Sequence, residues 1–455
     1  MAAVFAATFM LLAPALYNGF PLLYPDSMTY VADGAPVARA IFLHRFSEYY
    51  GVRSLLYSLV ILPFHRNLSP WPVAFLQCLL AAWVLWLLAK VMLRHGAAWK
   101  YLGLICFLTL FSSLGWYAGF IMPDVLGPLV YLSFFLLVFD EGRLTIAERC
   151  SLYPIACWGI TAHATHFLLA ALLLPLLACW SLGNRRRLFG LMQAGALLAL
   201  AAAAQMALHG YLYGHPSLNG ERPPYLLARV IADGPGKLYL ERNCAQQPWA
   251  VCTRLESLND DPDEFLWGAD GAYNNATEEV QERIRAEEMP LLKAIVRAYP
   301  RQQAARSAAN FRDQLLAFGL YGFDASPWME EQFASILIPA RAAYRHSRQA
   351  HGSLPQEALT SIQWWTIVLS LAMVAALGAL FRLRLAPSLW ALAATVCLMI
   401  LGNAALTGVL SVVDDRYGCR VIWLIPLLAA VFLLEAGERL RSAFRLPGAP
   451  PRKQL

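Results

Sequence analysis

The sequence predicts an all-α polytopic membrane protein of about ten transmembrane helices, carrying a large extracytoplasmic segment of mixed, partly helical structure. Three observations predict this. Hydrophobic residues make up 58% of the 455 and charged residues only 15%, against about 45–50% and about 25% in soluble globular chains. Mean hydropathy is +0.48. The net charge of +6 is also unevenly divided: residues 208–362 are acidic on balance and the rest of the chain is strongly basic. A basic body dissolved in lipid encloses one polar, acidic segment. No basic tract interleaved with aromatics occurs, which argues against nucleic acid as a partner. Membrane lipids and lipid-linked molecules are the partners this composition suits.

Charge-free apolar runs mark the spans, since a hydrocarbon core takes about 20 helical residues. They lie near 3–23, 70–90, 101–120, 125–139, 150–165, 167–182, 188–208, 363–381, 388–409 and 419–436. The stretch 150–184 also reads as one bent helix. The first run lacks a basic leading region and is longer than a signal-peptide core, so it reads as a retained span. Orientation follows from Lys and Arg. With the N-terminus inside, the inner segments collect Lys90, Arg94, Lys100, Arg143, Arg149, Arg185, Arg186, Arg187, Arg382, Arg384 and the tail from Arg439 to Lys453. Both termini are therefore expected to be cytoplasmic. Richness in Ala, Leu and Arg suits a bacterial inner membrane, with 208–362 in the periplasm. The chain divides into an N-terminal membrane body (1–207, with a first outer loop at 24–69), the extracytoplasmic domain (208–362), and C-terminal helices with a basic tail (363–455).

Within 208–362, Gly, Pro and Asp cluster through 214–274, which predicts irregular structure. From Thr277 to about Phe318 the apolar residues Val280, Ile284, Leu291, Leu292 and Ile295 recur at helical spacing, and Pro290 and Pro300 are expected to divide this helical stretch. Seven of the nine cysteines fall in or beside spans, where they read as small apolar fillers. Cys244 and Cys252 lie close together in the outer segment, where an oxidising compartment permits a disulfide.

Ionisable residues kept near a bilayer are functional by default, and four clusters qualify, all on the expected outer face. Tyr24-Pro25-Asp26-Ser27 follows the first span, ahead of a loop bearing Tyr30, His44, Arg45, Tyr49 and Tyr50; Asp26 also reads as the cap of a short helix from Ser27 to about Ala32. Pro123-Asp124 opens the fourth span, where an acid in the first turn complements the helix dipole. His163-Ala164-Thr165-His166 puts two imidazoles at i, i+3, on one helical face, as phosphate or hydroxyl partners or as a satisfied polar kink. Asp414-Asp415-Arg416-Tyr417-Gly418-Cys419-Arg420 offers two guanidiniums suited to phosphate oxygens, or a local Asp–Arg pair.

Acids and cations from distant parts of the chain thus gather at one membrane face beside a large outer segment. This arrangement resembles the GT-C glycosyltransferases, which take sugars from polyprenyl-phosphate carriers, as the protein O-mannosyltransferases and the lipid A aminoarabinose transferase do. Asp26 and Asp124 occupy the positions of that family's acids in the first outer loop and third outer turn. The stretch Gly159-Ile160-Thr161-Ala162-His163 is similar to its apolar helix ending in a basic residue at the carrier phosphate, with His163 where Lys is commoner. Arg416-Tyr417 resembles its Arg-Tyr before a late span.

The resemblance implies a polyprenyl-phosphate sugar donor and a lipid, glycan or protein acceptor. Asp26 would take the proton of the attacking hydroxyl. Asp124 would orient the acceptor, share the proton or hold a divalent cation with Asp26; no cofactor is certain. Arg416, Arg420 and His163 would stabilise the leaving phosphate, and Tyr24, Tyr30, His44, Arg45, His166 and Tyr417 would contact substrate. A single displacement would invert the anomeric centre. The competing readings are a transporter or flippase of a lipid-linked substrate, a non-catalytic assembly or sensor protein with 208–362 as its binding module, or another lipid-linked polymer enzyme such as a polymerase or ligase.

Overall fold

The structure is a computed structural model that describes residues 1–47, 50–93, 97–381 and 385–443. Tyr49, Arg94, Arg382, Arg384 and the tail beyond 443 lie outside the described residues. Among those described the chain is helical, without strands; one isolated bridge joins Leu22 to Phe120.

Among the described residues, six helices are long and apolar enough to cross a membrane: Trp71–Met92, Ala164–Ser181, Arg185–Tyr213, Gln356–Phe381, Pro387–Leu410 and Asp415–Leu440. The protein is therefore an integral membrane protein, and the expected count of about ten transmembrane helices is not confirmed. Four of the expected runs form shorter helices, each for a local reason. The first, Ala2–Asn18, stops at Gly19, which takes φ 83 and donates its N–H to Leu16. A residue with a Cβ adopts that left-handed cap at a cost, and Gly does not. The run expected at 101–120 breaks after Phe111, where the Ser112 hydroxyl donates back to the Leu108 carbonyl at 2.6 Å and that of Ser113 leaves the helix for Cys419 O at 2.6 Å. The fourth run begins as a 3-10 turn at Pro123–Val125 and continues as Leu126–Phe139. The stretch 150–184 is two helices, Ile146–Ala162 and Ala164–Ser181, hinged at His163 in extended backbone (φ −158, ψ 138).

The expected first outer loop is also largely helical. Pro25–Leu43 and Leu55–His65 are helices, so Tyr30 sits on a helix and the short capped helix ending near Ala32 is in fact 19 residues long. The polar segment between membrane helices spans 214–355, because Arg185–Tyr213 and Gln356–Phe381 each reach further than their apolar runs. It is helix and turn rather than mixed structure. Pro290 does not divide its amphipathic stretch: Glu278–Ala298 runs through it, and Pro300 opens the next helix, Pro300–Leu316, at a position where a missing N–H costs nothing.

This segment has two parts. Residues 225–299 enclose their own apolar core, including Leu227, Ile231, Leu240, Phe265, Ile284, Leu291 and Ile295. The Cys244–Cys252 disulfide is formed there, eight residues apart, joining the end of Pro235–Asn243 to the 3-10 turn at Ala250–Ser257. Closing so short a loop is worth about 2–3 kcal/mol on the chain-entropy model. Reduction, or Cys252→Ser, is expected to lower the thermal midpoint of the detergent-solubilised protein by that equivalent; an unchanged midpoint would show that this loop is already ordered without the bond.

Residues 318–354 instead pack onto the end of the membrane body. Phe323 meets Phe120 edge-on at 5.5 Å, and Tyr344 meets Phe20 at 5.8 Å. Gln349 clamps the chain leaving the first helix: its side-chain amide accepts from Leu23 N at 3.0 Å and donates to Leu23 O at 2.7 Å. That clamp sets where the next residues, Tyr24 to Asp26, begin.

Candidate functional site

Downstream of the clamped Leu23, Tyr24 N–H donates to Ser27 Oγ at 2.9 Å and Pro25 starts the helix, which puts Asp26 in its first turn. The Asp26 carboxylate accepts from Arg53 Nη2 at 2.7 Å and lies 3.4 Å from Arg416 Nη1. The backbone at Arg53 is fixed by its neighbour Ser54, which caps the Leu55–His65 helix and accepts from Tyr57 N at 3.1 Å. Arg416 is held between two rings, 4.4 Å from the centroid of Tyr24 and 4.9 Å from that of Tyr417. A guanidinium over aromatic faces keeps its charge favourably where water is scarce.

The short helix Asp415–Ile422 carrying Arg416 is bolted to the polar segment. Asp414 caps it, accepting from Arg416 N at 2.7 Å, while the Gln314 amide bonds both the N–H and the carbonyl of Asp414 at 3.0 and 2.9 Å. Gly418 lies so close to Ala317 that a Cβ would fall 1.9 Å from its carbonyl oxygen. Four residues after Arg416, and so on the same face, Arg420 is only 1% exposed. Its Nε and Nη2 donate to Asn403 Oδ1 at 2.9 and 2.6 Å and Nη2 to Thr165 Oγ1 at 3.0 Å. Its Nη1 is 4.0 Å from Asp124 Oδ1. Asp124, 4% exposed in the Pro123–Val125 turn, thereby joins the network. Asp26, Arg53 and Arg416 form one group of ion pairs and Arg420 and Asp124 a second; the Tyr417 ring, close to both Arg416 and Arg420, links them into one charge chain from four distant stretches of sequence.

A cavity of about 300 Å³ adjoins this chain. Arg53, Tyr30, His163 and Tyr417 line it from the membrane body, and Arg222 and Tyr225 from the polar segment. Leu168, Leu406 and Leu410 add apolar lining, and Leu168 and Leu410 are 45% and 40% exposed. Asp26, Asp124 and Arg416 are not lining residues. They stand behind it, and Arg53 is the side chain that touches both the cavity and Asp26.

Several expected substrate residues are placed elsewhere. His44 and Arg45 are exposed beyond the far end of the Pro25–Leu43 helix, with His44 Nδ1 2.8 Å from Tyr211 Oη. Eighteen residues of helix separate His44 from Asp26, about 27 Å at 1.5 Å per residue. His166 is fully buried against Gly127, its Nδ1 2.9 Å from Gly159 O, and does not reach the cavity. The i, i+3 spacing misleads here because His163 caps a helix instead of lying within one: its Nδ1 accepts from Thr165 N at 3.2 Å and its ring lines the cavity alone. Arg420 turns all its short contacts toward protein groups.

Arg53, Arg222 and Tyr225 belong to the site and went unread as site residues. Tyr225 Oη accepts from Arg53 Nη1 at 3.5 Å, and Arg53 lies 5.4 Å from the Trp267 ring. Burial pushes the Tyr225 phenol up to about 12, with Arg53 working against it, so it is neutral near pH 7. The available signal for Arg53 is Ser54, a capping residue directly before the apolar run Leu55–Phe64, which is too short to span a bilayer.

Asp26 and Asp124 do not fit a dedicated cation site. Both face guanidiniums, and among the described residues no group of three or more His, Cys, Asp or Glu is placed to hold a metal.

Asp33, two turns along the same helix from Asp26, is buried; one oxygen accepts from Gly51 N at 3.3 Å and the other has no partner. Burial raises its pKa to about 6, with the Gly51 hydrogen bond opposing. Because the folded value lies above the unfolded one, the protonated acid favours the fold: the stabilisation is full below about pH 4 and is lost as pH rises through about 6. The total is up to about 3 kcal/mol. Asp33→Asn is expected to remove that slope from the pH dependence of thermal stability; a slope that survives the substitution would assign it to another group.

Comparisons with protein-family models, with curated proteins and with solved structures return no match. The fold and the site themselves define an all-helical integral membrane protein with a buried acid–arginine network beside an amphipathic cavity.

Proposed function

We propose that this protein is a GT-C-like glycosyltransferase that moves a sugar from a polyprenyl-phosphate carrier to an acceptor hydroxyl at the outer face of the membrane. In this reading the shorter apolar helices complete a body of about ten membrane elements, the termini are cytoplasmic, and 214–355 lies in the periplasm, where its disulfide is stable. The observation that carries the proposal is the Arg53–Asp26–Arg416 triple beside a cavity lined by both cationic and apolar side chains. An anionic headgroup with a hydrocarbon tail suits such a lining.

The residues suggest how the step is timed. With no donor bound, Asp26 is the counter-ion of two guanidiniums. A phosphate entering the cavity competes for Arg53 and loosens that ion pair, which frees a carboxylate oxygen to meet the acceptor hydroxyl. The acceptor oxygen then attacks the anomeric carbon, its proton passes to Asp26, and the bond from that carbon to the phosphate oxygen breaks with its electron pair retained by the phosphate. Arg53 and Arg416 stabilise the growing charge. Arg420 and Asp124 act one step behind, holding Arg416's helix and the Thr165 end of the cavity.

The test is transfer by purified protein from radiolabelled polyprenyl-phosphate sugars to membrane extract, wild type beside Asp26→Asn. Transfer by wild type alone is expected. No transfer from any donor, or equal transfer by both proteins, would overturn the reading. A lipid-linked polymerase would keep its cations and tolerate Asp26→Asn.

A further inference from the structure

We propose that Arg222 is a second anion-binding side chain of the cavity, delivered by the polar segment and held in place by Glu288. This rests on the reading of the cavity as the seat of an anionic lipid headgroup, and extends it to residues outside the membrane body.

Arg222 arrives at the cavity by a constrained route. The long helix Arg185–Tyr213 ends at Gly214 in left-handed conformation (φ 80). The chain then folds back, and His209 Nδ1 contacts Ser217 O at 2.6 Å, which lays Leu218, Asn219 and Arg222 along the cavity wall. Pro223 and Pro224 come directly after and stiffen the exit.

Pro224 also leaves the next helix, Tyr225–Ala232, without a side-chain cap. The first amides of a helix need acceptors, and Glu288, reaching over from Glu278–Ala298, supplies them: Oε1 accepts from Leu226 N at 2.9 Å and from Leu227 N at 3.4 Å. Its other oxygen accepts from Arg222 Nη2 at 2.9 Å. Glu288 is 6% exposed, a carboxylate fixed by a helix N-terminus on one oxygen and a guanidinium on the other.

The pair repeats the arrangement of Arg53 and Asp26 on the opposite side of the junction. In each case a carboxylate behind the wall orients an arginine whose remaining donors are available to the cavity. A guanidinium carries five N–H donors in a planar fork, and a single oxygen contact at Nη2 leaves the others for a phosphate. Glu288 is thus a positioning residue, and Arg222 the residue that touches ligand.

The experiment measures binding of farnesyl phosphate, farnesol and inorganic phosphate to detergent-solubilised full-length protein. The variants are Arg222→Gln, Arg222→Lys, Glu288→Gln and Arg53→Gln. Loss of a hydrogen bond to a charged group corresponds to roughly tenfold or more in affinity. Arg222→Gln is expected to weaken farnesyl phosphate binding by at least that factor and leave farnesol unchanged. Arg222→Lys, which keeps the charge and the Glu288 pair, should lose less. Arg53 is also held by Tyr225 and Trp267, whereas among the described residues Arg222 donates to Glu288 alone. Glu288→Gln should therefore misplace its arginine and reduce the preference for farnesyl phosphate over farnesol, a ratio that a purely structural role would not move. Wild-type binding by Arg222→Gln alongside lost binding by Arg53→Gln would overturn the role of Arg222 and leave the proposed function standing. Wild-type binding by both would overturn both. Inorganic phosphate binding as tightly as farnesyl phosphate, and depending on Arg222, would support the anion contact and overturn the lipid-donor reading.

Discussion

Asp26→Asn should abolish turnover while strengthening the grip on an anionic ligand. If Asp26 accepts the acceptor's proton, its loss costs roughly 10²–10⁴-fold in rate. Asn also stops neutralising Arg53 and Arg416, its partners at 2.7 and 3.4 Å, so the positive potential facing the cavity rises and farnesyl phosphate binds several-fold more tightly. The two effects have opposite signs, which separates this mechanism from simple unfolding, since a damaged fold weakens both. Transfer kinetics and equilibrium binding on the same preparation provide the check. Turnover and affinity lost together, with a lowered thermal midpoint, would make Asp26 a structural ion-pair partner of Arg53 and Arg416 and no more.

Arg420→Met should be the most destabilising change in the site. The guanidinium is buried, with two short donations to Asn403 Oδ1, a third to Thr165 and Asp124 close by. Removing it orphans an amide oxygen and takes from the buried Asp124 carboxylate one of its two guanidinium neighbours, leaving Arg416. Breaking one side of a buried pair typically costs about 3–5 kcal/mol. Arg312→Met is the internal control: Arg312 pairs with Asp313 in the open, 71% exposed, where such pairs contribute about 0–1 kcal/mol. Chemical denaturation in detergent compares them. Equal, small effects would show that the Arg420 site relaxes and that Asp124 finds another partner or a proton.

Much of the site was legible in one dimension because membrane chains seldom tolerate charge. Asp26, Asp124, Arg416 and Arg420 interrupt apolar sequence and so announce themselves, and the structure gathers all four. His44 and Arg45 were read as neighbours of Asp26 because they come soon after it in the chain; 27 Å of helix (about 1.5 Å per residue) carries them away. Arg222 and Glu288 gave no signal, since an arginine and a glutamate within an acidic polar segment resemble any solvated pair until folding buries one and aims the other. The disulfide was readable from spacing and surroundings alone.

Composition alone determined that the chain lives in a bilayer, because no arrangement of so many apolar residues could be covered by so few charged ones. Local chemistry determined several helix ends, as at Gly19 and Ser54, where the constraint lies within a few residues. Which arginine faces the cavity and which faces protein, and that Gln349 sets the start of the Asp26 helix, were decided by tertiary structure alone. Those outcomes depend on contacts between segments hundreds of residues apart, whose energies exist only once the chain has brought them within hydrogen-bonding distance.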